Sequence, residues 1–435
     1  MGSKRNKVVI VGGGQAGGRL AQLLARDKTA AVTLVSEEPH APYERPPLSK
    51  GVLLGTRGFE SCLIWGPDDP AWKAVDLRAG VEVEAIDRAA RRVKLADGGE
   101  LAYDHLVLAT GSRLRTLTAP GSGLANVHQL RSYDQALALA ENFASGKRLV
   151  VVGGGFIGLE IAASARHRGL KTTVVEASDR LLARVVPERI ARLLAQRHEA
   201  EGVTLRMAAM VERFISNGRG AVKAVELSTG ETLPCDVAVV GVGVAANTEL
   251  AAAVGLEVDV GIRVDSGLLT SDPAISAIGD VATFYHPLYD RHVRVEAWQN
   301  AEDHARVVAT RLRDGSAVAD SVPYFWSDQY DLSLQIVGLP HLGSSVVERC
   351  RSDGAAIHFH LDPAGRIVGA TGLGTAGSIG RDIRLTQVLI AQRAHPARAL
   401  LQDPDGRLKA LLKGDLPVPP LPTAAAAAQS LPGAI

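Results

Sequence analysis

The sequence predicts an α/β protein with two Rossmann-like dinucleotide-binding domains and a smaller α+β domain behind them. Three observations carry that reading. A β-branched run breaks on a glycine cluster and resumes with helical spacing in "KVVIVGGGQAGGRLAQLLA" (7–25). The same device returns in "KRLVVVGGGFIGLEIAASARHRGLKTTVVEA" (147–177). Beyond residue 323, strand-like runs such as "GAAIHFHLD" and "RIVGATGLG" alternate with the amphipathic "SIGRDIRLTQVLIAQR". The first domain is expected to be discontinuous, 1–115 and 246–322, with the second inserted at 116–245. The third covers 323–415, and a low-complexity tail occupies 416–435.

Composition sets limits on partners. With 48 basic and 47 acidic side chains among 435 residues, the chain has no global field to recruit nucleic acid or a membrane surface. No stretch of about 20 uninterrupted apolar residues exists. The basic N-terminus meets glycine after an apolar run too short for a signal peptide, and Asn6 breaks a myristoylation pattern. A soluble cytoplasmic protein is expected. The 12 histidines lack metal-ligand spacing, so no metal site is expected, and the two in "IHFHLD" read as surface residues on one strand face.

In the first glycine cluster, Gly12, Gly14 and Gly17 match G-x-G-x-x-G, with Ala16 inside the turn. Such glycines permit a tight turn, let backbone approach a pyrophosphate, and let helix pack on strand, with the anion at the helix N-terminus. The next strand, "AAVTLVSEE", ends at Glu37, 23 residues past Gly14 (37 − 14), where a carboxylate for a ribose hydroxyl belongs. The second cluster places Gly153, Gly155 and Gly158 in the turn with Ile157 among them. Glu176 closes its next strand 21 residues past Gly155 (176 − 155). Two fingerprints in full context imply two dinucleotides. A carboxylate at Glu176 would repel a 2′-phosphate and favours NADH over NADPH, although Arg180 and Arg184 nearby leave the preference open.

Between the first fingerprint's second strand and the rest lies "LVSEEPHAPYERPPLSKG" (34–51). Pro39, Pro42, Pro46 and Pro47 fix φ and remove donors, giving a stiff loop able to hold charges against an anionic ligand. Further motifs are "LVLATGSR" (106–113), "TSDPAISAIGDVA" (270–282) and "VPYFWSDQYDLSLQIVG" (322–338).

In this order the motifs resemble the pyridine nucleotide-disulfide oxidoreductase superfamily. Within it, "PYERPPLSK" and "VPYFWSDQYDLSLQIVG" are together similar to one branch, the NADH-dependent ferredoxin reductases that serve cytochrome P450 and ring-hydroxylating oxygenase systems. The resemblance runs from about residue 6 to about 410. It implies FAD on the first fingerprint and NADH on the second, with electrons passed singly to a [2Fe-2S] ferredoxin. It places Gly12, Gly14, Ala16, Gly17, Glu37, Arg45, Lys50, Val83, Ala109, Thr110, Gly111, Arg131, Gly279, Asp280 and Trp298 on FAD. Gly153, Gly155, Ile157, Gly158, Glu160, Glu176, Arg184 and Gly243 fall to NADH. Catalytic roles fall to Lys50, Glu160 and Trp326, with Glu160 paired to Lys50 beside the nicotinamide. Arg306 and Trp326 are the candidates for ferredoxin docking. A monomer or weak homodimer is expected. Rubredoxin reductase, or a flavoprotein that senses NADH as in the apoptosis-inducing-factor group, is the alternative.

The cysteines narrow the mechanism. Disulfide reductases of this fold carry a Cys pair after the loop, where this chain has Pro, Leu, Ser and Lys. Cys62, Cys235 and Cys350 are isolated. With no dithiol relay, electrons are expected to leave the flavin directly.

Overall fold

The computed structural model describes residues 6–28 and 30–412, so the tail expected from 416 lies outside the described residues. The chain forms two compact units. One comprises the chain up to Arg45, Arg57–Arg115 and Gly243–Pro323; the other comprises Pro46–Thr56, Thr116–Val242 and Tyr324 onward. Residues 46–56, read above with the first domain, group with the second unit.

The first unit is built on a parallel sheet in the order Ile275–Ala277, His105–Leu108, Asn6–Val11, Ala30–Ser36, Val75–Ala79. Its central strands are apolar on both faces, as a sheet covered on both sides requires; Val8 to Val11 and Leu106 to Leu108 are all buried. The helices Gln15–Asp27 and Trp298–Asp314 pack together over it. The loops after strands Asn6–Val11, His105–Leu108 and Ile275–Ala277 therefore emerge side by side at the carboxyl edge, where open α/β sheets bind ligands.

In the second unit a parallel sheet runs Thr204–Arg206, Lys171–Val175, Arg148–Val152, Val237–Val240, Val127–His128. The helix Phe156–His167 follows its central strand directly. The same unit holds an antiparallel sheet, in the order Tyr324–Gln329, Leu332–Gly338, Ile367–Thr375, Ala356–Leu361, Ser345–Cys350, with the helix Gly380–Ala391 against it. The observed class is thus α/β with two Rossmann-like sheets and a C-terminal α+β region.

Two local expectations are corrected. His358 and His360, read as surface residues, are 1% and 8% exposed. Both faces of their strand are covered: Ile379 and Ile383 of one helix press on Gly372 opposite Ile357, while the histidine face lies towards Arg189 of the helix Glu188–Ala200. Burial lowers the pKa of both rings, that of His360 to about 4. The proline loop also does not stay a loop. After Pro47 it closes into a π-helical turn, Leu48–Val52, with Val52 N donating to Pro47 O at 3.0 Å.

Candidate functional site: two nucleotide cradles

At the carboxyl edge of the first sheet the three motif loops converge. Gly12 has φ +112°, and a Cβ there would sit 2.2 Å from Ala109 O; a Cβ on Gly17 would sit 2.0 Å from Gly12 O. Only glycine lets these backbones touch. Gly14 differs: nothing lies within 4 Å of a Cβ built on it, so its open side faces free space. The helix Gln15–Asp27 that starts there has neither a side-chain cap nor an acid in its first turn, leaving its N–H groups and positive dipole end for an anion. Gly279, at φ +74°, would bring a Cβ within 3.0 Å of Ala16 Cβ. Gly279 N donates to Nδ1 of the buried His304 at 3.1 Å, which fixes that turn. Beside it Ser112 Oγ donates to Asp280 Oδ2 at 3.2 Å.

The flanks of this cradle are tied by side chains. Thr110 Oγ1 donates to Asn247 O at 2.7 Å, and Asn247 N donates to Gly111 O at 3.0 Å. Arg45 is ion-paired with Glu38 at 2.6 Å and lies 5.4 Å from the Tyr43 ring centroid. Burial works against its charge, but Tyr43, Glu38 and Asp280 more than offset this and raise its pKa. Glu37 is exposed at the strand end. Val81 N donates to Ser36 O and Gly80 N to Glu38 O, which brings the chain leading to the buried Val83 alongside Glu37. Trp298 opens the helix Trp298–Asp314, again without a capping side chain, and hydrogen-bonds Glu44, whose pKa is raised by burial and then by Glu302.

The second cradle repeats the first. Gly153 has φ +110° with a virtual Cβ 2.3 Å from Gly241 O, a Cβ on Gly158 would meet Gly153 O at 2.1 Å, and Gly155 again has nothing within 4 Å. The helix Phe156–His167 has no side-chain cap and no first-turn acid, and Ile157 in that turn is 47% exposed. Glu176 holds the loop: Oε2 accepts from Gly154 N at 2.7 Å and Oε1 from Ser178 N at 2.8 Å. Arg180 is spent on the backbone, donating to Val186 O at 2.9 Å and Ala183 O at 2.6 Å, whereas Arg184 is exposed. Arg131 precedes the capping box of Ser132 and Gln135 in this unit, and Gly243, at φ +99°, belongs to the first.

On the second fingerprint helix Glu160 is 4% exposed and fully engaged. Its Oε2 lies 2.7 Å from Lys50 Nζ and also accepts from Ser49 Oγ; Oε1 accepts from Ser327 Oγ at 2.7 Å. Ser164, one turn on, donates to Ser49 O at 2.7 Å and fastens the π-helical turn to the same helix. Ser49, Ser164 and Ser327 were missed by sequence reasoning, because lone serines carry no motif. Asp328 lies close enough to feel Lys50 and Glu160, and its pKa is raised, by burial above all. Trp326 is half-buried and stacked on Tyr324 at 6.0 Å; Phe325, on the alternate face of the strand, meets Phe156 at 4.4 Å. In the first unit Arg306 pairs with Glu302 at 2.9 Å and Asp303 at 2.8 Å, its side chain 49% exposed.

Residues 6–305 match the model of the pyridine nucleotide-disulphide oxidoreductase family, and residues 324–412 match the reductase C-terminal family. The chain belongs to the pyridine nucleotide-disulphide oxidoreductases. It is 42% identical to the ferredoxin–NAD(+) reductase component of the anthranilate 1,2-dioxygenase system of Burkholderia cepacia, across 93% of this chain and 98% of that one. Among solved structures, the covalent putidaredoxin reductase–putidaredoxin complex matches with a TM-score of 0.88 at 34% identity, over 98% of this chain and 100% of the other. The ferredoxin reductase of the CYP199A2 system from Rhodopseudomonas palustris gives 0.88 at 39%, over 94% and 100%.

Membership in this family implies FAD and a nicotinamide dinucleotide, and both cradles fit such groups. Each offers a tight glycine turn, one glycine whose missing Cβ leaves open space, and a helix start without acid. Cys62 and Cys235 are buried, Cys350 is exposed, and all three are free. Burial raises the Cys62 thiol and pushes that of Cys235 up to about 12, which keeps both protonated and unreactive.

Proposed function

We propose that this protein is an NADH:ferredoxin oxidoreductase that supplies electrons to a cytochrome P450 or ring-hydroxylating oxygenase system. The observation that carries the proposal is the pair of like-built cradles in a chain with three isolated, free cysteines. The full-length similarity to ferredoxin–NAD(+) reductase components supports the choice of partner. Bound FAD would supply the chemistry, taking a hydride from NADH and releasing electrons one at a time.

The residues divide the work between binding and orientation. Gly12, Gly14, Ala16 and Gly17 take the FAD pyrophosphate at the start of the first fingerprint helix, with Glu37 on the ribose. Ala109, Thr110, Gly111, Gly279, Asp280, Arg45, Arg131, Val83 and Trp298 hold the remainder. Gly153, Gly155, Ile157 and Gly158 take NADH, Glu176 its adenosine ribose, with Gly243 and Arg184 as flanking contacts. The Glu176 carboxylate beside the loop, with Arg180 committed to carbonyls, supports NADH over NADPH. Glu160 anchors Lys50, and the pair orients the nicotinamide, where register is the main contribution to rate. Replacing Lys50 with Met should slow anaerobic flavin reduction by NADH about tenfold or more in stopped-flow. Unchanged kinetics would remove the pair from the mechanism.

For the acceptor we propose a [2Fe-2S] ferredoxin, with Trp326 as a half-buried aromatic anchor and Arg306 as a basic contact. Arg306 already neutralises Glu302 and Asp303, so its contribution is to on-rate more than to affinity. Arg306→Glu should raise the KM for ferredoxin about fivefold and leave ferricyanide reduction unchanged. A parallel fall in both activities would make Arg306 a stability residue. Among the described residues no helix is long and apolar enough to cross a membrane.

A further inference from the structure

Glu160 is held from a second side by a chain of buried polar groups that the proposed mechanism does not use. Ser327 Oγ donates to Glu160 Oε1 at 2.7 Å, Gln329 Nε2 donates to Ser327 Oγ at 3.1 Å, Gln329 Oε1 meets His198 Nε2 at 2.8 Å, and His198 Nδ1 meets Tyr330 Oη at 3.2 Å. Ser327, Gln329 and His198 are 1%, 2% and 0% exposed. Ser327 and Gln329 sit two apart on the strand Tyr324–Gln329 and so share a face, and His198 comes from the helix Glu188–Ala200.

The direction of every bond follows from the carboxylate end. A carboxylate can only accept, so Ser327 must donate its single proton to Glu160. Its lone pair then accepts from the Gln329 amide nitrogen, which turns the amide oxygen to His198. That oxygen needs a donor, so His198 carries its proton on Nε2 and is neutral, as its burial also favours. Nδ1 then accepts from the Tyr330 hydroxyl. All donors point toward Glu160, and aligned chains of this kind reinforce one another. The amide in the middle does not relay protons. The chain therefore holds a geometry and conducts nothing.

We propose that Ser327, Gln329 and His198 are positioning residues: they fix the Glu160 carboxylate from the C-terminal sheet and, through it, the orientation of Lys50. The proposal rests on the reading that Lys50 and Glu160 orient the nicotinamide. It gives the C-terminal strand two interleaved duties, Ser327 and Gln329 bracing Glu160 while Trp326 alternates with them.

Two measurements test it. Ser327→Ala leaves Glu160 Oε1 without its donor and should slow flavin reduction at saturating NADH about tenfold, with KM for NADH within about twofold. Ser327→Thr restores the hydroxyl and should recover most of the rate. In a Glu160→Gln background Ser327→Ala should cost nothing more. Nitrogen NMR of histidine-labelled protein at neutral pH, a readout independent of turnover, should find His198 neutral with its proton on Nε2. That signal should shift in Ser327→Ala. A proton on Nδ1, or a slow Glu160→Gln variant beside an unimpaired Ser327→Ala, overturns the proposal. If Glu160→Gln itself leaves flavin reduction unchanged, the reading of Lys50 and Glu160 fails; the tautomer then still decides whether the chain exists.

Discussion

The two glycine cradles are near copies in backbone and differ in where they keep their acid. Gly12 and Gly153 have φ of +112° and +110°, and their virtual Cβ atoms sit 2.2 and 2.3 Å from the neighbouring strand's carbonyl oxygen. Gly12 N and Gly153 N each donate to a strand valine, Val35 O and Val175 O, both at 2.8 Å. That register makes Ser36, and not Glu37, the counterpart of Glu176. The middle glycines agree: a Cβ on Gly13 would meet the Ser36 side chain at 2.7 Å, and one on Gly154 would meet Glu176. In the second cradle the carboxylate braces the loop through Gly154 N, while in the first the serine lies under the loop and Glu37 stands exposed one residue later. The turn is fixed by sterics, which leave one solution, whereas the acid at the end of the following strand has freedom of one residue. On the proposed reading, Glu176 would combine bracing with ribose binding, whereas the first cradle would leave the ribose to the exposed Glu37.

The sharpest way to separate the cradles is to fill the open position of each. Gly14 and Gly155 have extended backbones, with φ of −74° and −82°, so alanine fits the fold at either site. The added methyl should enter nucleotide space. Gly14→Ala should purify folded but colourless, and Gly155→Ala should stay yellow with its NADH KM raised about a hundredfold. The visible spectrum, circular dichroism and steady-state kinetics check both. Loss of colour in Gly155→Ala would contradict the assignment of nucleotides to cradles.

A smaller effect tests the displaced acid. Glu176→Gln removes a charge that braces the loop and, on the proposed reading, would meet the ribose, and should raise the NADH KM about tenfold while narrowing the preference over NADPH. Glu37→Gln touches only the exposed acid, and should weaken FAD binding about threefold without changing the NADH KM. Equal effects from the two substitutions, measured by FAD titration of the apoprotein and by kinetics, would mean that Glu37 also braces its loop.

The fold and both cradles were legible in the sequence because their signals are local. Gly12 with Gly17, and Gly153 with Gly158, are steric necessities within a few residues, and the strands around them are apolar runs that any reading of periodicity finds. The register that pairs Ser36 with Glu176 was not legible. It depends on which residue of the second strand faces Gly13, a contact across a sheet. His358 and His360 failed for a related reason: period-two alternation implies one wet face, but the helix covering that face lies far off in sequence. The bracing of Glu160 by Ser327 spans 167 residues, and the link from His198 to Gln329 spans 131. Single polar residues at such separations leave no pattern. The Lys50–Glu160 pair was reached through family resemblance; nothing in the two residues alone announces it.

The proposed function requires direct electron flow, from NADH through the flavin to an outside acceptor, with no cysteine sulfur as an intermediate carrier. Anaerobic stopped-flow on a variant with Cys62, Cys235 and Cys350 all replaced by alanine tests this most directly. NADH should bleach the flavin absorption and a [2Fe-2S] ferredoxin should restore it, both at the rates of the unaltered protein. Bleaching by NADH followed by failure to reduce ferredoxin, in a variant with unaltered circular dichroism, would contradict it.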